Sequence, residues 1–179
     1  MRALAALPPP RDPSGGTYSL ALVCLGNICR SPMAFVVLER RLAEAGLASR
    51  VSLDSAGTGT WHLGEPMDPR AADTLAAAGY QPSRHRASRF DSDWFAGHDV
   101  ILVMDQRNRE DVLALAPTEA DRGRVLMFRA FDPQAPPEPE LPGDLDVPDP
   151  WFGGRSGYDE VLAIVERTAD VLVRALADR

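Results

Sequence analysis

The stretch Tyr18-Ser-Leu-Ala-Leu-Val-Cys-Leu-Gly-Asn-Ile-Cys-Arg-Ser-Pro-Met-Ala34 decides the fold. Tyr18 to Val23 is a short apolar run of the kind that makes a buried strand. Gly26 then frees the backbone for a tight turn, and Asn27 tolerates a left-handed conformation. Pro32 suits the first turn of a helix. From there Ala34, Val37, Leu38, Leu42 and Ala45 recur at helical spacing until Gly46 ends the pattern. A buried strand that turns through a Gly-containing loop into an amphipathic helix is the opening of an alternating α/β fold.

The rest of the chain repeats this alternation. Val51 to Leu53 begins a second strand, closed by Ser55-Ala56-Gly57. The Ala-rich stretch from Asp68 to Ala78 predicts a helix stopped by Gly79. Asp99 to Met104 predicts a third buried strand, Asp105 to Leu115 a helix that ends before Pro117, and Arg124 to Phe128 a fourth strand. Val161, Ile164, Val165, Ala169, Leu172 and Leu176 mark one face of a last helix. Strands alternating with helices imply a parallel sheet covered on both faces, and in such sheets ligands bind beyond the carboxyl ends of the strands. The first of those ends is the segment that starts at Cys24. Between Asp132 and Pro150 lie seven of the chain's sixteen prolines, which predicts a long loop, and loops of that length inside a domain are usually functional or disordered.

Length and composition bound the function. The chain has 179 residues, enough for one domain. A formal net charge of -7 argues against a general nucleic-acid binder, because phosphate backbones attract basic faces. No apolar run approaches the ~18 residues of a membrane span. Residues 1–17, rich in Pro, Gly and Ser, are expected to form a disordered tail, whose apolar part stops at Leu7 before three prolines and is too short for a signal-peptide core. Cys24 and Cys29 are the only cysteines, too few for a disulfide-stapled secreted fold and too few for a zinc site without His nearby.

Cys24-Leu25-Gly26-Asn27-Ile28-Cys29-Arg30-Ser31-Pro32 therefore sits where a ligand should bind. Backbone N–H groups converging in such a turn, together with a helix N-terminus, make an anion site. Arg30 adds a planar fork of donors that matches two phosphate oxygens. Cys24 at the mouth of this positive site is favoured as thiolate, the nucleophilic form. The same field would stabilise charge on a phosphoryl group in transfer. The segment lacks the Gly-Lys-Ser/Thr ending of a nucleotide P-loop. It suits attack by cysteine on a phosphate monoester. Such a reaction also needs a general acid. Asp149, followed by a rigid proline and by Trp151, is the candidate; Asp132, Asp144 and Asp146 share its loop and are the rivals.

With VCLGNICRSPMA (23–34), DSAGT (54–58), DPRA (68–71), MDQRN (104–108) and VPDPW (147–151) in this order, the chain resembles the low-molecular-weight protein tyrosine phosphatase family from Tyr18 to its end. The resemblance implies a flavodoxin-like three-layer sandwich with a four-stranded parallel sheet and helices on both faces, filling residues 18–179 as one domain. It implies hydrolysis of phosphotyrosine through a phosphocysteine, without metal or cofactor. In that mechanism Cys24 is the nucleophile, Arg30 and the loop amides of Leu25 to Ser31 hold the phosphate, and Asp149 is the general acid and base. Asn27, Ser31, Ser55 and His85 match a hydrogen-bonding set that shapes the loop, with the Ser31 hydroxyl near the thiolate. Leu25, Trp61 and Trp151 match the walls of an aryl slot. Asp105 matches a position near the loop and equally suits an N-cap. The implied partners are a phosphotyrosine-bearing protein and the tyrosine kinase that acts with it, in the cytoplasm.

The chain also departs from the family pattern. Trp151-Phe152 stands where Tyr is usual after Asp-Pro, so regulation by phosphorylating those tyrosines is unavailable. Phe35 stands where Glu is common, off the apolar helix face, and is expected to be exposed or to meet a partner. Three rival readings share or border the fold. Related arsenate reductases relay oxidation through further cysteines, and this chain has none after Cys29. Related protein arginine phosphatases carry Thr where Ile28 stands. A phosphotyrosine-binding module without turnover would need neither Cys24 nor Asp149.

Overall fold

Four strands form one parallel sheet in the order β2-β1-β3-β4. They are β1 (Tyr18–Cys24), β2 (Val51–Gly57), β3 (Val100–Val103) and β4 (Val125–Met127). The computed structural model describes residues 5–82 and 84–179. β1 pairs with β2 from Tyr18 opposite Val51 to Cys24 opposite Gly57, and with β3 from Leu20 opposite Val100 to Val23 opposite Val103. The interior strands β1 and β3 are almost wholly apolar, as strands covered on both faces must be. This is the flavodoxin-like α/β sandwich expected from the sequence.

The helices are α1 (Arg30–Glu44), α2 (Pro69–Ala77), α3 (Trp94–Gly97), α4 (Gln106–Ala114), α5 (Glu119–Arg122) and α6 (Arg155–Ala177). Two apolar clusters lie on opposite faces of the sheet. Leu20, Leu22, Val100 and Leu102 face α1, α2 and α6, where Met33, Val37, Leu75, Val161, Val165 and Leu172 are buried. Ala21, Val23, Ile101 and Val103 face Phe90, Phe95 and Val112 on the other side. The alternation of these side chains along β1 and β3 is the period-two geometry of a strand dividing two cores. α6 is the longest helix and packs along α1.

The structure departs from the expected elements in several places. The fourth strand stops at Met127, because Phe128–Phe131 turns into a 3-10 segment that buries both phenylalanines. The short helices α3 and α5 lie in stretches for which the sequence reading names no element. Phe35 is half-buried against the edge of the main core.

The tail expected to be disordered is, over residues 5–16, laid along the amino ends of the strands; residues 1–4 lie outside the described residues. Its prolines cannot donate, but their carbonyls accept. Tyr18 Oη donates to Pro8 O at 2.8 Å, Arg124 Nη1 to Pro9 O at 2.8 Å, and Arg179 Nη2 to Leu7 O at 2.7 Å. Arg11 Nη2 meets Asp121 Oδ1 at 2.5 Å, and the Arg11 amide donates to Asp99 Oδ1 at 2.6 Å. A proline-rich segment is already stiff, so fixing it costs less entropy than fixing a Gly/Ser chain.

Candidate active site

Cys24 ends β1 and Arg30 begins α1, so the loop between them lies at the carboxyl edge of the sheet. Its turn depends on Asn27, which takes a φ of 56°, the left-handed region that most side chains avoid. Several contacts hold it there. The Asn27 carbonyl accepts from His85 Nε2 at 2.6 Å, and Asn27 Oδ1 accepts from the Ser88 amide at 2.9 Å. Donation to a carbonyl requires that His85 carry its proton on Nε2. Burial pushes the His85 pKa below its ordinary value, which keeps the ring neutral. Gly57 ends β2 beneath this turn; a Cβ there would lie 2.6 Å from Leu25 O, so only glycine lets the loop approach.

Asn27 Nδ2 donates to Ser31 Oγ at 2.8 Å and to Ser55 Oγ at 3.1 Å. Ser31 Oγ in turn lies 3.0 Å from Cys24 Sγ. With the Asn27 proton on the Ser31 oxygen, the hydroxyl hydrogen is free to point at the sulfur. The Asn27 amide adds a second donor to Cys24 Sγ at 3.3 Å. The structure therefore joins Asn27, Ser31, Ser55 and His85 into one network behind Cys24. Cys29, at the far end of the loop, is different. Its Sγ lies 3.6 Å from Tyr158 Oη, and burial pushes its pKa up to about 12, so it is a neutral thiol near pH 7.

Arg30 is 2% exposed. Its Nη1 meets Asp105 Oδ2 at 2.6 Å and donates to Val147 O at 3.0 Å, while Nη2 lies 3.3 Å from Asp149 Oδ2. Burial alone would lower the Arg30 pKa, but Cys24, Asp105 and Asp149 around it raise it overall, so the cation is secure. Asp105 serves both expected roles: Oδ2 pairs with Arg30, and Oδ1 caps α4 by accepting from the Asn108 amide at 2.7 Å.

Leu25, Gly26, Ile28, Trp61 and Trp151 line a cleft of about 270 Å³ with Cys24, Arg30 and Asp149. Trp61 is 71% exposed, a rim residue rather than a core one. The rival acids are elsewhere. Asp132 is fully buried, held by Arg167 at 2.6 and 2.9 Å and by Arg129 at 3.2 Å. Asp144 accepts from the amides of Glu140 and Leu141, and Asp146 from the amide of Gln106. Asp149 is the loop acid that lines the cleft.

Two cleft residues had no role in the sequence reading. His62 packs its ring 5.6 Å from that of Trp151 and bonds Glu65 Oε2 through Nδ1 at 2.7 Å. Phe152 is 92% exposed at the mouth. His62 follows Trp61 directly, and that adjacency was the available signal. Among the described residues no cluster of His, Cys, Asp and Glu could hold a metal, and no helix is long and apolar enough to cross a membrane.

Residues 19–179 match the model of the low molecular weight phosphotyrosine protein phosphatase family. The chain is 44% identical over 163 residues to a low molecular weight protein-tyrosine-phosphatase of Streptomyces coelicolor, covering 91% of this chain and 96% of the relative. It is 42% identical over 147 residues to low molecular weight protein-tyrosine phosphatase A of Mycobacterium tuberculosis, covering 82% and 84%. Among solved structures, a protein tyrosine phosphatase from Entamoeba histolytica superposes with a TM-score of 0.81 at 30% identity, over 90% of this chain and 98% of that one.

Proposed function

The chain belongs to the low molecular weight phosphotyrosine protein phosphatase family and is a protein-tyrosine-phosphatase, and we propose from that premise that Cys24, Arg30 and Asp149 carry its reaction. The observation that bears the reading is that these three side chains line one cleft, with a hydroxyl and an amide aimed at the sulfur.

The phosphate of phosphotyrosine enters the turn of amides from Leu25 to Ser31, and its ring lies between Trp61 and Trp151. The Cys24 thiolate attacks phosphorus. The bond from phosphorus to the phenolic oxygen breaks as Asp149 passes its proton to that oxygen, and tyrosine leaves. Arg30 and the loop amides match the equatorial oxygens as their charge builds. Water then attacks the phosphocysteine, Asp149 takes its proton, and Cys24 departs as thiolate. Ser31 and the Asn27 amide stabilise that thiolate both as nucleophile and as leaving group. Ile28 and the two tryptophans make apolar walls, which suit an aryl ester better than the charged guanidinium of phosphoarginine.

The substrate is a phosphotyrosine-bearing protein, and a tyrosine kinase is the enzyme that must supply it. A cytoplasmic setting is supported by the chemistry, since a catalytic thiol needs a reducing compartment and Cys24 and Cys29 are both free.

Rapid quenching of wild type with labelled phosphotyrosine should trap label on Cys24, and Cys24→Ser should carry none and turn nothing over. Steady turnover by Cys24→Ser would end the covalent reading.

A further inference from the structure

Asp68 and Arg70 stand between the two loops of the site and belong to neither. The Asp68 amide donates to Ile28 O in the phosphate loop at 2.8 Å. Its carboxylate caps α2 through the Arg70 amide at 2.8 Å and is gripped by the Arg70 side chain, Nε to Oδ1 at 3.1 Å and Nη2 to Oδ2 at 2.9 Å. This fork fixes the plane of a guanidinium that would otherwise swing freely. The remaining nitrogen, Nη1, donates to Trp151 O at 3.3 Å. The same guanidinium lies 5.3 Å from the centre of the Trp151 ring and 5.0 Å from that of Tyr158. One side chain thus touches the carbonyl and the ring of the residue two positions after Asp149, while Asp68, whose carboxylate grips it, is bonded to the phosphate loop through its backbone amide.

Asp149 is tied to the turn that Arg70 grips. Its Oδ1 accepts from the Trp151 amide at 3.1 Å, which ties the carboxyl to the Trp151 peptide. Arg30 also holds Asp149, directly from Nη2 to Oδ2 at 3.3 Å and, on the amino side of the acid, through Val147 O at 3.0 Å. Bound phosphate must share Arg30, so the carboxyl side of the acid rests on the contacts to Trp151, of which Arg70 supplies the hydrogen bond and the His62 ring only packing.

We propose that Arg70 is a positioning residue for the general acid: the Asp68–Arg70 pair is a strut that sets the height of Asp149 over the leaving oxygen. The proposal rests on Asp149 being the acid. It predicts an effect that grows with the basicity of the leaving group and exists only while Asp149 is present.

The test compares kcat/KM, which reports the step that expels the leaving group, for p-nitrophenyl, phenyl and tyrosyl phosphates. The proteins are wild type, Arg70→Gln, Arg70→Lys, Asp149→Ala and the double variant Asp149→Ala/Arg70→Gln. Arg70→Gln should lose about tenfold on phosphotyrosine, a fraction of the 10²–10⁴ of a general acid, and no more than about twofold on p-nitrophenyl phosphate. Arg70→Lys keeps the charge without the planar fork and should fall between. In the Asp149→Ala background, Arg70→Gln should change nothing further. Melting temperatures are read alongside, and Arg70→Lys carries the comparison if Arg70→Gln does not fold. An equal loss on all three esters, the same loss with Asp149 already removed, or no loss at all would overturn the strut. If Asp149→Ala itself shows no leaving-group dependence, it is the assignment of the acid that fails.

Discussion

Arg30 Nη1 donates to the carbonyl of Val147 at 3.0 Å, across 117 positions of sequence. The side chain placed to bind phosphate therefore also holds the strand of loop that carries Asp149. The same nitrogen meets Asp105, so one buried guanidinium fixes α4 and the acid loop while its other edge faces the cleft. Tight coupling of this kind makes the site sensitive to the shape of the cation as well as to its charge.

Arg30→Lys should accordingly behave as a severe variant. A single ammonium donates from one point and cannot span Asp105, Val147 O and two phosphate oxygens as the planar guanidinium can. We expect kcat/KM for p-nitrophenyl phosphate to fall about 10²–10³-fold, the loss typical of removing a donor to the transition state. Activity near wild type would show that charge alone suffices.

Asp149→Ala should slow phosphotyrosine about 10²–10⁴-fold and p-nitrophenyl phosphate far less, since an activated leaving group needs little proton assistance. Asp144→Ala and Asp146→Ala should not reproduce that selectivity. Asp132→Ala should act on stability instead. Burial alone would raise the Asp132 pKa, but Arg167, the Gln134 amide and Arg129 bring it below the ordinary value. Losing the carboxylate leaves Arg167 and Arg129 without their partner and should cost about 3 kcal/mol in urea unfolding. A leaving-group-dependent loss in any of these three would move the acid elsewhere.

Mild peroxide should convert Cys24 to the sulfenic acid. Cys29 in the same loop can then condense with it: its thiol loses a proton, a sulfur–sulfur bond forms, the S–OH bond breaks, and water leaves, a step that burial of Cys29 slows by keeping it protonated. Mass spectrometry should find the Cys24–Cys29 disulfide, and dithiothreitol should restore activity. Cys29→Ser should pass to irreversible oxidation faster. Recovery by Cys29→Ser equal to that of wild type would deny the thiol a protective role.

His85 gives stability a pH dependence of known sign. Its folded pKa lies below the ordinary 6.5. The unfolded chain therefore takes up the proton first, and folding is weakened as pH falls below 6.5 toward the folded value. Above that window the contribution is flat. Urea midpoints measured between about pH 7.5 and 5.5 should fall less steeply for His85→Gln, which cannot titrate there. An unchanged slope would mean that other groups dominate.

Trp151→Ala should raise KM for phosphotyrosine more than for a small alkyl phosphate, because only the aryl ester uses the ring. The measurement is initial-rate kinetics on both esters. Equal changes would show that the indole supports the loop rather than the substrate.

The phosphate loop was legible because it is local. Cys24 and Arg30 are separated by a single turn, and Asn27, Gly26 and Pro32 carry the backbone preferences that turn requires, so neighbouring residues determined its shape. The strand and helix order was legible for the same reason, through periodicity along short stretches. Asp149 was singled out from its loop rivals only by the Pro-Trp that follows it and by the family resemblance, since it lies 119 positions from Arg30 and no local preference reports a contact closed by the sheet. Tertiary structure puts Asp149 in the cleft and Asp132 against α6, a difference that appears only once both segments are placed. It also decided the parts that depend on two distant chain segments meeting. These are His62 against Trp151, the Arg70 bridge from α2 to the acid loop, and the proline-rich arm. That arm reads as disordered by composition, and it is held by Tyr18, Arg124 and Arg179 because its carbonyls find donors that only the folded chain brings together.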